Sequence, residues 1–182
     1  MNYELPTSIE IDGKAYNIRG RGDYRVILDV IAALTDPELN EREQAAAALC
    51  IFYEELPADV QAAADEMVKF IDGGTTAKSG KASPRLMDWE QDFPLIVAPI
   101  NRVVGCEIRA VPYLHWWSFL SAYMEIGECT FATVVGIRQK RQKGKKLEKW
   151  EQEYVREHPD TVNLRPLVSE IEQAFLDSFF ED

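Results

Sequence analysis

Pro112-Tyr113-Leu114-His115-Trp116-Trp117-Ser118-Phe119-Leu120-Ser121-Ala122-Tyr123 is the stretch on which the fold turns. Proline pre-sets φ for a first helical turn, so a helix is expected to open at Pro112. Trp116, Leu120 and Tyr123 then fall on one stripe at helical spacing, with Phe119 and Met124 beside it. Trp117 points about 100° away from Trp116. Two adjacent indoles cannot both face one core, so two readings stay open: neighbouring helices clasp this helix on two sides, or Trp117 serves a second interface. His115 and His158 are the two histidines of the chain. His115 reads as a hydrogen-bonded helix residue rather than a general base.

Outward from that helix, Gly127 is a stop and Thr130 a candidate cap for the next helix, through Phe131, Val134, Val135 and Ile137. It runs into Arg138, Lys140, Arg141, Lys143, Lys145, Lys146 and Lys149, with Gly144 marking the break. A following helix is expected to hold Leu147, Trp150, Tyr154 and Val155 up to Pro159, with Lys146 within reach of the Trp150 ring. Residues 160–182 are expected to end in a further helix, where Leu167, Ile171, Phe175 and Phe179 share a face. The span 112–150 thus gathers three of the four tryptophans and seven of the twenty Lys and Arg side chains.

Upstream, Asp88-Trp89-Glu90-Gln91-Asp92 opens the second half. Asp88 and Asp92 share a helical face, but no histidine or further carboxylate cluster completes a ligand set, so no metal is expected. Acidic groups in a first turn instead favour the positive end of a helix dipole. Leu95, Ile96, Ile100 and Val103 form the expected buried face, and Pro94 and Pro99 argue for a kinked or twice-started helix. Gly73 to Pro84 reads as a linker of small and polar residues. The predicted organisation is residues 1–74, a hairpin plus three helices; residues 75–84, a linker; and residues 85–182, a helical part with the Trp-rich helix and the basic helix hairpin.

The first part reads as a β-hairpin from Pro6 to Arg19, with Ile9, Ile11, Tyr16 and Ile18 as its apolar positions and Asp12-Gly13 as its turn. Gly20-Arg21-Gly22 leads into a helix capped by Asp23, with Val26, Ile27, Val30, Ile31 and Leu34 on one face. The two glycines after a strand do not make a dinucleotide loop, because Arg25 holds the third glycine position and no βαβ unit follows. Asn40 and Glu43 spell a capping box for a helix through Leu49, Phe52 and Tyr53. A third helix is expected to bury Val60, Ala64, Met67 and Ile71 and to stop at Gly73-Gly74. The fold class is therefore mainly α, a helical bundle with a short N-terminal β-hairpin.

Composition bounds what such a chain does. At 182 residues with 46% apolar content, it can bury about 70% of its unfolded surface, enough for one domain or a tight pair of subdomains. Cys50, Cys106 and Cys129 are odd in number and unpatterned, so they read as small buried apolar groups in a reducing compartment. With no leader and no apolar run long enough to span a bilayer, a soluble cytosolic protein is expected. The net charge is -11, yet residues 138–149 carry 7 basic groups and 1 acidic group. That patch has three readings: a solvated hairpin tip, a docking surface for an acidic or helical partner, or a nucleic-acid site. The last is disfavoured by the acidic remainder and by the lack of a recognition motif. No nucleophile with a neighbouring base, phosphate loop or ligand cluster is present, so neither catalytic residues nor a cofactor are expected.

Asp88-Trp89-Glu90-Gln91-Asp92, His115-Trp116-Trp117-Ser118-Phe119, Ile137-Arg138 and Lys143-Gly144-Lys145-Lys146-Leu147 together resemble the pattern of the tailed-phage gene-product-fifteen family. The resemblance covers most of the chain, including the hairpin-then-helix stretch through Asp29. It implies a tail assembly role in the host cytoplasm: a chaperone holding the long helical tape-measure protein until tube subunits polymerise around it. It brings no catalytic residues. Partner contacts are expected from Trp117 and Tyr123 and from Arg138, Lys140, Arg141, Lys145 and Lys146. Other tail assembly proteins are possible partners, and homo-oligomerisation stays open. The alternatives are a structural tail or connector component of the virion and a nucleic-acid-binding regulator using residues 138–149.

Overall fold

The computed structural model describes residues 4–75 and 84–166. They form two compact units, one on residues 4–75 and one on residues 84–165. The architecture is mainly α with one N-terminal hairpin. The helix expected to carry Leu167, Ile171, Phe175 and Phe179 lies outside the described residues, as does most of the expected linker.

In the first unit, β1 (Ser8–Ile11) pairs antiparallel with β2 (Lys14–Asn17). Asp12 and Gly13 take φ of 51° and 75°, the left-handed pair that a two-residue hairpin turn requires. Ile18 leaves the hairpin and bridges to Tyr53, while the Arg19 guanidinium donates to the carbonyls of Cys50, Ile51 and Tyr53. Those carbonyls close α2 (Glu41–Phe52), so one cation satisfies a helix C-terminus that lacks intrahelical partners. Gly20, at φ 59°, would place a Cβ 2.9 Å from Val26 Cγ2, so backbone and packing both demand glycine there.

Asp23 caps α1 (Tyr24–Leu34) by accepting from the Arg25 amide, and the Asn40–Glu43 capping box forms at the start of α2. α1 and α2 pack as a pair. Ile27 and Val30 are fully buried there, each stabilising by about 1.5–3 kcal/mol. In α3 (Val60–Ile71) the buried face is Ala63, Met67 and Phe70, whereas Val60, expected inside, is 51% exposed. The face is set by Tyr53, whose hydroxyl donates to the Ala63 carbonyl, and by Phe52, which packs edge-on against Phe70.

In the second unit, α4 (Trp89–Val104) is one helix running through Pro94 and Pro99 rather than two. An interior proline removes a helical hydrogen bond at a cost of about 3 kcal/mol. Burial of Ile96, Val97, Pro99 and Ile100 offsets that loss, and Val103 points outward. Gly105, at φ 81°, ends the helix, and the Asn101 side chain holds the next loop through the Ile108 amide and the Glu107 carboxylate. The central helix, α5 (Trp116–Met124), starts four residues after Pro112 because His115 caps it: its buried Nδ1 accepts from the Trp117 amide at 3.0 Å. Cys129, through its backbone rather than Thr130 through its side chain, begins α6 (Thr130–Gln142). α7 (Lys149–Glu157) and the short α8 (Pro159–Val162) complete the unit, with Leu147 just ahead of α7. Cys50 and Cys106 are exposed and Cys129 is half-buried, so the expectation of three buried thiols fails.

Candidate functional site

The basic run lies on α6, α7 and the turn between them. Gly144 takes φ 62°, and two hydrogen bonds close the end of α6: Gly144 N–H to the Arg141 carbonyl at 3.0 Å and Lys145 N–H to the Lys140 carbonyl at 2.8 Å. This double closure is a Schellman motif, which needs glycine at the left-handed position. On the far side, Glu148 and Glu151 form a capping box that starts α7. Lys140 Nζ reaches Glu151 at 2.7 Å and ties the two helices together. The hydrogen bond from Lys140 holds the buried Glu151 carboxyl below the ordinary glutamate range, and the same bond raises Lys140 above the ordinary lysine value.

Arg138 has a different fate from its neighbours. Its side chain is 5% exposed and forms a bidentate pair with Asp92 at 2.7 and 2.9 Å. The remaining contacts go to the carbonyls of Leu86, Thr161 and Val162. All five guanidinium donors are thereby used. Arg138, expected among the partner-binding cations, is therefore an internal clasp joining α4, α6 and α8. Asp92 stands in the first turn of α4, as expected, accepts there from the Asp88 amide, and is also the counter-ion of Arg138. The register gives the reason: Arg138 follows Val134 by four residues and Phe131 by seven, on the buried stripe of α6.

The remainder of Asp88–Asp92 is equally committed to the fold. Asp88 caps α4 through the Gln91 amide and pairs with Arg85. Burial pushes its carboxyl up, but those two partners outweigh burial and hold it below the ordinary value. Gln91 donates to the carbonyls of Asp160 and Asn163 and accepts from the Arg165 amide, stitching the segment after α8 onto α4. Trp89 meets Trp116 edge-on, with centroids 5.8 Å apart, and lies 5.0 Å from the Tyr123 ring.

Trp116 is sealed and stacks on Phe119 at 5.5 Å. Tyr123, expected as a partner anchor, is half-buried in this cluster, against Phe131 and with its hydroxyl on Met87 Sδ. Desolvation raises its hydroxyl pKa, and the nearby Asp92 charge adds to the rise. Trp117 is half-buried, its ring edge-on to His115. Arg141 is exposed and donates to Asn163 Oδ1 at 2.7 Å.

The exposed remainder is compact in sequence. Lys143, Lys145, Lys146 and Lys149 are exposed, and among the described residues none of them forms an ion pair. Trp150 is 52% exposed, and its indole N–H donates to Glu148 at 2.9 Å.

A family model described as Bacteriophage Gp15 protein matches residues 1–164. The chain belongs to the bacteriophage Gp15 family. Neither the curated proteins nor the solved structures give a significant match. Membership makes this Gp15 chain a phage structural or assembly protein. Two of the stretches that carried the resemblance, Asp88–Asp92 and Ile137-Arg138, meet in the Asp92–Arg138 pair. That pair is internal to the second unit, whereas Lys143, Lys145 and Lys146 of the third stretch are exposed.

An open depression of about 420 Å³ lies on the same unit, lined by Pro94, Leu95, Ala98, Arg102 and Glu128 among others. It shares no residue with the cation set. Among the described residues, no group of three or more His, Cys, Asp and Glu side chains is placed to hold a metal ion. No helix among them is long and apolar enough to cross a membrane.

Proposed function

We propose that this Gp15 protein is a tail assembly chaperone that holds the tape-measure protein in the host cytoplasm and catalyses no reaction. The observation that carries the reading is family membership combined with a helix–turn–helix whose exposed lysines form no ion pair among the described residues and are followed in the sequence by a half-exposed indole. A holder of a long helical client needs apolar anchors next to charges that keep the complex soluble and reversible. Trp117 and Trp150 supply ring surface, and Lys143, Lys145, Lys146 and Lys149 supply the charge.

Co-expression with the tape-measure protein tests the reading. The expected result is a soluble complex that co-purifies in low salt, with the chaperone missing from purified virions by mass spectrometry. Failure to co-purify overturns it, and a stoichiometric copy in the virion moves the protein to the structural tail class. A nucleic-acid regulator would instead bind an oligonucleotide with affinity falling steeply as salt rises.

A further inference from the structure

We infer that the α6–α7 turn is a docking surface for a short acidic polypeptide segment carrying an apolar side chain, its carboxylates read by Lys143, Lys145, Lys146 and Lys149 and its apolar side chain by the Trp150 ring. The inference rests on the chaperone reading only for the identity of that polypeptide. Its basis is a division within one basic run. Arg138 is spent on Asp92 inside the fold, and the half-buried Lys140 is spent on Glu151. Lys143 and the cations after it carry four positive charges with no carboxylate assigned to them among the described residues.

The scaffold beneath those charges is fixed before any partner arrives. The Schellman closure at Gly144, the Lys140–Glu151 bridge and the Glu148–Glu151 capping box hold both sides of the turn. A preorganised site loses less conformational entropy on binding. Glu148 takes the indole N–H, so the Trp150 ring offers an apolar face with its polar atom already satisfied. A half-exposed aromatic ring in the same short stretch as four exposed lysines fits a glutamate- or aspartate-rich helix with a leucine or phenylalanine one turn from its carboxylates.

Charge also selects the length of the partner. The exposed Glu148 stands between Lys146 and Lys149, the exposed Glu153 follows one turn after Lys149, and the chain as a whole carries -11. Screening confines the attraction to roughly 8 Å. A short acidic segment can end where the lysines end. A duplex, with one charge every ~1.7 Å, would continue onto the repelling flanks.

Fluorescence anisotropy on the full chain tests this with three labelled probes. They are a helix-forming glutamate and leucine peptide, its twin with glutamine for every glutamate, and a short oligonucleotide. The glutamate peptide should bind and weaken as salt rises, and the glutamine twin should not bind. The variant K143Q/K145Q/K146Q/K149Q should lose about tenfold in affinity or more, the sum of several exposed pairs. Its melting temperature should stay within about 2 °C of wild type. Trp150→Ala should also weaken the glutamate peptide at an unchanged melting temperature. No binding of the glutamate peptide, equal binding of its twin, or tighter binding of the oligonucleotide overturns the inference. If the glutamate peptide binds as expected but the tape-measure protein fails to co-purify, the chaperone reading falls and the surface stands. If the tape-measure protein is retained equally by the lysine variant, the surface falls and the chaperone reading stands.

Discussion

Arg138 and Lys145 sit seven residues apart in the same cationic run and share almost nothing else. Arg138 follows the apolar stripe of α6 into the interior, where Asp92 and three carbonyls take all of its donors. Lys145 lies past the left-handed Gly144, where the chain has left the helix and no longer owes a side chain to the core. Charge density along the sequence does not distinguish the two positions. Helical register does, because a cation on the buried stripe must find a counter-ion, whereas one past the helix stop faces water.

The largest effects should come from the buried end of this contrast. Asp92→Ala or Arg138→Ala leaves an unpaired buried charge and should cost about 3–5 kcal/mol, read by denaturant unfolding. Asp92→Leu combined with Arg138→Met should recover much of that loss; if it does not, the pair contributes more than mutual neutralisation. Trp116→Ala, a truncation of a sealed aromatic, should also cost about 3–5 kcal/mol.

The bridge in the middle of the run should show itself through pH. Glu151 titrates below its ordinary value in the fold, so its contribution is present at neutral pH and is lost as pH falls through that lowered value. Lys140 titrates above its ordinary value, so its contribution survives until pH rises through that raised value. Glu151→Gln should therefore melt below wild type at pH 7, and the gap should close once pH falls well under the ordinary glutamate range. A gap of the same size in acid would mean that the Lys140–Glu151 pair is not its source.

At the exposed end, stability should hardly respond. Trp150→Ala and the four-lysine variant should each stay within about 0.5 kcal/mol of wild type. Trp117→Ala falls between the extremes, lowering tape-measure retention more than it lowers the melting temperature. If it merely unfolds the protein, Trp117 belongs with Trp116.

Local signals made much of this legible in the sequence. Asp12-Gly13, the Asn40–Glu43 box, Asp23 and Gly144 each encode a turn or cap within a few residues, and each forms where its chemistry places it. What could not be read depends on distant partners. The α3 face is set by Tyr53 and Phe52, and the start of α5 by a histidine cap that overrides the proline signal. Asp92 and Arg138 stand 46 positions apart, and their pairing required α4 and α6 to be packed together first. The Val134 to Arg138 spacing was nonetheless a usable sign that Arg138 points inward. For the exposed lysines the sequence supplied the charge but not which four would be without an ion pair among the described residues.

The most direct measurement is the amount of full-length tape-measure protein retained in low salt by wild type and by K143Q/K145Q/K146Q/K149Q, at matched melting temperatures. Wild type should retain the tape-measure protein, and the variant should lose most of that retention. Equal retention by the two, or none by either, would contradict that expectation.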